Sequence, residues 1–273
     1  MPTIVCDSRV HATHVIDRCE LAPGVILLGL EAPDLVRATR PGQYVMAIPP
    51  SGEASATALG IYEAEGKRAS LLFFLTGKRT RELGALRPGD PLDVTGPLGN
   101  GFDLASKPQH ATIVAGGVGI ASVLLAARAL VGAGSRVELL YGARSADLLV
   151  DARRFEDAGC ELAVATDDGS AGHRGFVTAL LERAKTDLIL ACGPSPMLRA
   201  VGRIARELGV RAQLSLEETF ACGVGGCWGC VVPLTRTSAQ APSFPPPSQG
   251  GSDVVFARIC KEGPVFWSDE LRW

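Results

Sequence analysis

The sequence predicts an α/β-plus-β chain with three parts. These are an N-terminal antiparallel β-barrel over residues 1–105, a central doubly wound parallel-sheet domain over 106–213, and a small cysteine-rich domain over 214–273. Three observations carry that division. Short apolar stretches alternate with turn signals in the first part, strand and helix patterns alternate in the second, and half of the eight cysteines crowd into the third. With 273 residues and 47% apolar composition, the chain can bury two ordinary cores and a small third.

In the first part Val25–Leu30, Tyr44–Ile48, Ser70–Leu75 and Pro91–Val94 read as strands, punctuated by Pro23-Gly24, Pro41-Gly42, Pro88-Gly89 and Gly96-Pro97. Regularly spaced short strands of this kind suggest a small antiparallel barrel. From His110 the rhythm changes. Ala111–Ala115 reads as a buried strand, Ile120–Val131 as a helix, Arg136–Tyr141 as a strand and Ala146–Ala158 as a helix. Glu161–Thr166, Thr178–Ala184, Leu188–Cys192 and Pro196–Leu208 continue the alternation, which is the pattern of a parallel sheet wrapped by helices. Beyond Leu214 the chain is rich in glycine and cysteine. Residues 233–252 hold five prolines and four serines with few apolar anchors, so a flexible excursion is expected there. Order is expected to resume at Val254.

Ala111–Val131 is almost wholly apolar, yet Gly116, Gly117 and Gly119 interrupt it and Arg128 lies near its end. A strand, a glycine turn and a buried helix account for it better than a membrane span. The net charge of −2 offers no electrostatic footprint for nucleic acid or an anionic membrane. The first residues lack the basic-then-apolar layout of a secretory signal. The expectation is a soluble, cytoplasmic protein that binds neither nucleic acid nor membrane.

In a reducing compartment, eight cysteines point to metal or redox chemistry rather than disulfides. Cys6, Cys19, Cys160 and Cys192 are scattered, but Cys222, Cys227 and Cys230 have C-x₄-C-x₂-C spacing, with Cys260 as a distant fourth. That is the plant-type spacing for a [2Fe–2S] cluster. Wrapping two irons and two sulfides demands sharp turns, which Gly223, Gly225, Gly226 and Gly229 permit. A structural zinc site on the same four thiols is the alternative, although zinc more often pairs two C-x₂-C knuckles.

Gly116, Gly117 and Gly119 follow a predicted strand and open a helix, the place where a dinucleotide pyrophosphate approaches the backbone. The G-x-G-x-x-G pattern is incomplete, because Ser122 stands at its third glycine, and a glycine packing turn is the alternative. Cys192, Gly193 and Pro194 sit at a later strand-to-helix junction on the same sheet edge, where open α/β sheets bind ligands. By pattern alone, Cys192 reads as a small buried residue. Nicotinamide yields two electrons as a hydride, whereas a [2Fe–2S] cluster accepts one, so a flavin is implied between them, with the barrel as its available place.

Taken together, these residues resemble the electron-transfer subunit of two-subunit, NAD-linked dihydroorotate dehydrogenase, a ferredoxin reductase-like flavoprotein. The likeness is carried by Pro41-Gly42-Gln43-Tyr44, Gly96-Pro97-Leu98-Gly99-Asn100-Gly101-Phe102 and Ala115-Gly116-Gly117-Val118-Gly119. It continues through Tyr141-Gly142-Ala143-Arg144-Ser145, Thr166-Asp167-Asp168-Gly169-Ser170, Cys192-Gly193-Pro194, the cysteine loop and Cys260-Lys261-Glu262-Gly263-Pro264-Val265-Phe266. The resemblance implies an FAD-binding barrel with contacts at Thr57, Ala58, Leu59, Gly60, Leu72, Phe73, Phe74, Gly77, Arg79 and Thr80. It also implies NAD(H) at Gly116, Gly117, Gly119, Cys192, Gly193 and Pro194, and a cluster on Cys222, Cys227, Cys230 and Cys260. The implied partner is a catalytic, FMN-containing subunit that oxidises dihydroorotate in pyrimidine biosynthesis, the two forming a heterotetramer. Electrons then pass from that partner through the cluster and FAD to NAD⁺.

Three segments depart from the resemblance. The flavin motif Arg-Pro-x-Ser falls on Thr57-Ala58-Leu59-Gly60, which lacks both the arginine for the flavin phosphate and the serine facing its ring. Losing one charge-assisted contact costs about 1.5–3 kcal/mol, roughly ten- to a hundredfold in affinity. A second flavin loop, Gly-Lys-Gly-Thr, reads Gly77-Lys78-Arg79-Thr80, and Arg79, with Lys78, is a candidate to restore the cation; a solvated basic loop is the alternative. Leu216-Glu217-Glu218-Thr219-Phe220 keeps the acidic pair but has Thr219 and Phe220 in place of arginine and methionine, and Glu217 is either near the flavin ring or solvated. Two other functions remain open: an iron–sulfur flavoprotein subunit of another NAD(P)H-linked complex, of the ferredoxin:NADP or sulfide oxidoreductase type, or a flavin-free structural subunit.

Overall fold

Two cores share strands, and the alternation of side chains explains how. The computed structural model describes residues 9–51, 55–235 and 254–273. The first unit is a closed barrel of β1 (Arg9–Ala22), β2 (Val25–Glu31), β3 (Tyr44–Ile48), β4 (Thr57–Glu65), β5 (Arg68–Phe74) and β6 (Pro91–Leu98). Its neighbours run β1-β2-β5-β4-β3-β6, and every pair is antiparallel. In β2 the side chains of Ile26, Leu28 and Leu30 fill the barrel, while Val25 and Leu27 face outward into a second core. β5 repeats this, with Leu71 and Phe73 inward and Leu72 and Phe74 outward. Because successive residues point to opposite faces, a strand covered on both sides reads as an unbroken apolar run. Helices α1 (Pro33–Ala38) and α2 (Lys78–Gly84) add Leu35 and Leu83 to the barrel core.

The second core belongs to a seven-stranded sheet. Its parallel strands are β7 (His110–Gly116), β8 (Arg136–Ala143), β9 (Glu161–Thr166), β10 (His173–Arg174), β11 (Leu188–Cys192) and β12 (Arg211–Ser215). Helices α3 (Leu124–Gly132), α4 (Arg153–Asp157), α5 (Thr178–Leu181) and α6 (Ser195–Leu208) connect them. The order β10-β9-β8-β7-β11-β12 starts in the middle, winds one way and then reverses, so β7 and β11 flank a topological switch point.

The helix expected over 146–158 is broken into a short 3₁₀ turn at Ala146–Leu148 and α4, with Asp151 at φ 55° between them. Left-handed backbone at a non-glycine residue ends a helix. The helix expected over 178–184 closes earlier, at Leu181. The apolar run from Ala111 to Val131 is β7, a 3₁₀ turn over Gly117–Ser122 and most of α3, and among the described residues no helix is long and apolar enough to cross a membrane.

The C-terminal part contains a hairpin of β13 (Val231–Thr235) and β14 (Val254–Arg258), followed by β15 (Val265–Trp267). Pro233, Leu234 and Thr235 therefore belong to a strand rather than to the excursion expected from 233, and Leu234 is fully buried. The rest of that expected excursion, 236–252, lies outside the described residues. β15 leaves the cysteine-rich part and adds antiparallel to β12, where the Arg211 guanidinium lies 3.5 Å from the centre of the Trp267 ring.

Candidate functional site: a cleft joining barrel, switch point and cysteine loop

A cleft of about 240 Å³ opens where the three parts meet. The barrel lines it with Ala58, Leu59 and Gly60 from β4 and Leu72 and Phe73 from β5. The turn after β7 contributes Val118, Ala121 and Ser122, and the segment leading to the cysteines contributes Ser215, Leu216, Glu217, Glu218 and Phe220. Five of the expected flavin contacts thus share one wall with residues that the sequence places more than 130 positions later. Thr57, Phe74, Gly77, Arg79 and Thr80 lie off that wall. Phe74 packs on the second core, and Thr80 Oγ1 accepts from the backbone N–H groups of Thr76 and Gly77 at 3.0 and 3.1 Å. The Arg79 guanidinium donates to Ser55 Oγ at 3.1 Å and to the Ala56 carbonyl at 3.2 Å, next to the start of β4.

At the switch point the two expected NAD loops are pressed together. A Cβ on Gly119 would stand 2.2 Å from the Cys192 carbonyl oxygen, and one on Gly193 3.0 Å from the Gly116 backbone. Neither obstacle is a side chain that can rotate away. Gly119→Ala is expected to lower the thermal midpoint through overpacking of about 1–3 kcal/mol, read by thermal denaturation. Met197 and Pro194, at the start of α6, close over Gly116.

Beneath the cleft is a small polar group. The fully buried Cys192 thiol donates to Glu217 Oε1 at 3.4 Å, and the Ser122 and Ser215 hydroxyls also reach its sulfur. Burial, reinforced by the Glu217 carboxylate, pushes the Cys192 thiol well above its usual range. Glu217 keeps solvent contact at the cleft mouth, yet protein surrounds it closely enough for desolvation to push its carboxyl up. Glu217 lines the cleft while remaining exposed, and Cys192 is buried with polar partners.

The four clustered cysteines fall into two pairs. Cys222 hydrogen-bonds Cys227, and Cys230 accepts from the Cys260 backbone N–H at 3.4 Å while its side chain also bonds that of Cys260. Burial raises the Cys222 thiol, but the backbone N–H groups of Cys227, Val224 and Gly226 outweigh it and bring the thiol down to about 6. Cys260 is pushed up by burial and by Cys230. Gly229 N–H donates to Cys227 Sγ at 3.4 Å. Among the described residues no three His, Cys, Asp or Glu side chains gather around one point closely enough to hold a single metal ion.

The loop is fastened to the barrel by Tyr44, whose buried hydroxyl donates towards the Gly223 and Cys260 carbonyls at 2.9 and 2.7 Å. The Tyr44 ring lies 5.2 Å from that of Phe220. In the sequence Tyr44 reads as part of a strand and of the Pro41-Gly42-Gln43-Tyr44 motif, and no spacing signal connects it to Gly223 and Cys260, 179 and 216 positions away. On the far side, Arg258 donates to the Gly225 carbonyl at 2.9 Å, pairs with Glu262 and lies 4.7 Å from the Trp228 ring centre.

An antiparallel six-stranded barrel set against a switch-point sheet, with a cleft between them, defines the ferredoxin reductase-like class. A solved NADH-dependent reduced ferredoxin-NADP oxidoreductase, described for flavin-based electron bifurcation, superposes with a TM-score of 0.80 at 28% identity, covering 96% of this chain and 90% of that one. The ferredoxin reductase of carbazole 1,9a-dioxygenase shares the fold at a TM-score of 0.65 and 21% identity, covering 77% of this chain and 68% of that one.

Sequence relatives narrow the class to one family. The electron transfer subunit of dihydroorotate dehydrogenase B (NAD(+)) from Caldanaerobacter subterraneus subsp. tengcongensis is 33% identical over 233 residues, covering 85% of this chain and 86% of that protein. Its counterpart in Desulforamulus reducens is 31% identical across 98% of both chains. A probable one in Methanothermobacter thermautotrophicus is 35% identical over 87% of this chain and 82% of that protein. The chain belongs to the family of dihydroorotate dehydrogenase B (NAD(+)) electron transfer subunits. No protein-family profile matches it.

Proposed function

We propose that this chain carries electrons between a catalytic, FMN-containing dihydroorotate dehydrogenase subunit and NAD⁺, in the cytoplasm, through a [2Fe–2S] cluster and FAD. The observation that carries the proposal is the single cleft that brings β4 and β5 of the barrel, the turn after β7 and the approach to the cysteine loop within contact of one another. FAD bound there would exchange a hydride with the nicotinamide and single electrons with the cluster.

The residues suit those groups. Each iron of a two-iron cluster already holds two bridging sulfides, so it needs two thiolates, and Cys222 with Cys227 and Cys230 with Cys260 form such pairs. Zinc would draw four donors to one point. Backbone N–H groups directed at the sulfurs favour the anionic form and lower the cost of concentrating charge there. Gly116, Gly119, Gly193 and Pro194 form a close-packed edge, with Gly117 open beside them, on which NAD(H) would lie, with Cys192 below. Ala58, Leu59, Gly60, Leu72 and Phe73 form an apolar wall for the flavin ring, and Phe220 faces it from the cysteine side.

Arg79 supplies the cation that Thr57 does not, from the loop beside residues 55 and 56. Arg79→Gly is therefore expected to weaken FAD binding by roughly ten- to a hundredfold. Flavin titration of the apoprotein measures this, and unchanged retention would return Arg79 to a surface role.

The decisive experiment is isolation of the native complex and a count of FAD, FMN, iron and sulfide. Equimolar FAD and FMN with two irons and two sulfides per chain, together with dihydroorotate-dependent NAD⁺ reduction, are expected; a heterotetramer is the expected assembly. A second reading has its own support in the 0.80 superposition on an NADH-dependent ferredoxin-NADP oxidoreductase. Reduction of ferredoxin or polysulfide without a dihydroorotate-oxidising partner would favour it. Cluster absorbance with no extractable flavin, even after reconstitution, would leave a structural subunit.

A further inference from the structure

One guanidinium reaches three features of the cysteine loop. Arg258 ends β14, two residues before Cys260, and only 15% of its side chain is exposed. It donates to the Gly225 carbonyl at 2.9 Å, between Cys222 and Cys227, and its Cζ lies 4.7 Å from the centre of the Trp228 ring, between Cys227 and Cys230. It is also close enough to the Cys230 and Cys260 sulfurs to feel their charge. Trp228 has φ 57°, a left-handed backbone that a bulky residue keeps only when its surroundings hold it there. Gly225 is shaped by the same neighbour: at φ 84°, a Cβ there would stand 3.4 Å from Arg258 Cζ and 2.7 Å from Lys261 Cδ. Glu262 fixes the guanidinium in turn, accepting from the Arg258 backbone N–H at 2.7 Å, from Nε at 3.1 Å and from Nη2.

We propose that Arg258 is a positioning residue that sets the reduction potential of the cluster, that Glu262 opposes it, and that the same guanidinium holds the Trp228 turn in place. The inference rests on Cys222, Cys227, Cys230 and Cys260 holding two bridged irons. Charge balance gives the ion pair its purpose. Two ferric irons, two sulfides and four thiolates carry a net charge of minus two, and the one electron taken from the flavin or from the partner makes it minus three, with no bond formed or broken. A fixed cation beside the loop favours the reduced form, and a fixed carboxylate disfavours it. The Arg258 and Glu262 side chains are only 15% and 11% exposed, so water and salt screen them far less than they screen the exposed Lys261. A guanidinium also does what an ammonium cannot: it lies over the Trp228 ring while its fork donates to Gly225 and Glu262.

The test uses the whole chain with its cofactors and three variants: Arg258→Met, Arg258→Lys and Glu262→Gln. Iron and acid-labile sulfide are counted first; wild-type protein that takes up neither defeats the cluster reading, and this proposal with it. The midpoint potential is then read by redox titration of the paramagnetic signal of the reduced protein. Arg258→Met is expected to lower the equilibrium constant for reduction about tenfold, a midpoint about 59 mV more negative, and Glu262→Gln to raise it by a similar factor. Arg258→Lys keeps the charge and should stay nearer to wild type than Arg258→Met. The positioning role is read without the cluster, from the Trp228 emission of the apoprotein taken as a difference against Trp228→Phe. That emission is expected to shift in both Arg258 variants. A merely structural ion pair is broken by either partner's loss, so it moves the potential the same way in Arg258→Met and Glu262→Gln; that result overturns the proposal. So does an unshifted potential in Arg258→Met with full iron, or an unshifted Trp228 emission. If Arg258→Met fails to assemble the cluster, Glu262→Gln decides alone, and a potential that does not rise overturns the proposal.

Discussion

Cys260→Ala is expected to abolish the proposed [2Fe–2S] cluster and to leave the rest of the molecule standing. Cys260 is the distant member of its pair, 30 residues beyond Cys230, and the two are joined through the Cys260 backbone N–H and their side chains. In the proposed cluster its side chain is one of four thiolates, and the backbone carbonyl that accepts from the barrel's Tyr44 is kept in the alanine variant. One iron is then left with a single protein thiolate, and the second pair cannot hold a bridged centre alone. Iron and acid-labile sulfide are expected to fall to background, and the reduced protein should lose its paramagnetic signal. The barrel wall is untouched, so FAD content and NADH reduction of a soluble dye should persist. Electron transfer to the catalytic partner should fall by more than about a hundredfold, beyond the ten- to hundredfold typical of losing an outer-shell contact. Two irons per chain retained in Cys260→Ala would remove Cys260 from the ligand set.

The gathering of the four cysteines was legible because their spacing along the chain is itself the signal. The same holds for β2 and β7, whose unbroken apolar runs mark strands covered on both faces, and for the glycines after β7. Legibility fails where the meaning of a residue lies in another domain. Gly60 reads as a motif without its serine and Ser122 as an incomplete glycine pattern, and no spacing signal announces that a Cβ on Gly60 would stand 2.7 Å from Ser122 Oγ across the domain boundary. β15 was hidden for a related reason. Three residues carry too little periodicity to announce a strand, and its partner β12 lies some 50 positions earlier. The helix expected over 146–158 followed from composition, which does not reveal that Asp151 must turn left-handed to meet Tyr62 and Arg154.

That meeting of Asp151 with the barrel leads to the largest stability effect expected here. Glu63, only 5% exposed, projects from β4 towards the parallel-sheet domain, where it meets Arg128 and Arg154. Its carboxylate accepts from Arg128 of α3 at 2.8 Å, Arg154 of α4 at 2.7 Å and Arg68 of β5 at 3.4 Å. Arg154 also pairs with Asp151 at 2.8 Å, whose other contact is the buried Tyr62 hydroxyl at 2.7 Å. The network joins the two domains through Glu63 and through the Tyr62–Asp151 hydrogen bond. In Glu63→Ala, Arg68 keeps Asp17 and Arg154 keeps Asp151, but Arg128 loses its carboxylate and three guanidinium groups face one another without the charge that held them. Breaking a fully buried pair costs about 3–5 kcal/mol. The arginines are about one-third exposed, so water recovers part of this and about 3 kcal/mol is the expected loss. For a chain of this size that lowers the thermal midpoint by roughly 6–12 °C. Glu63→Gln keeps an acceptor while removing the charge and should fall between wild type and Glu63→Ala. A midpoint for Glu63→Ala within about 2 °C of wild type would mean that the domains are held by their apolar contact alone, with the ion pairs as bystanders.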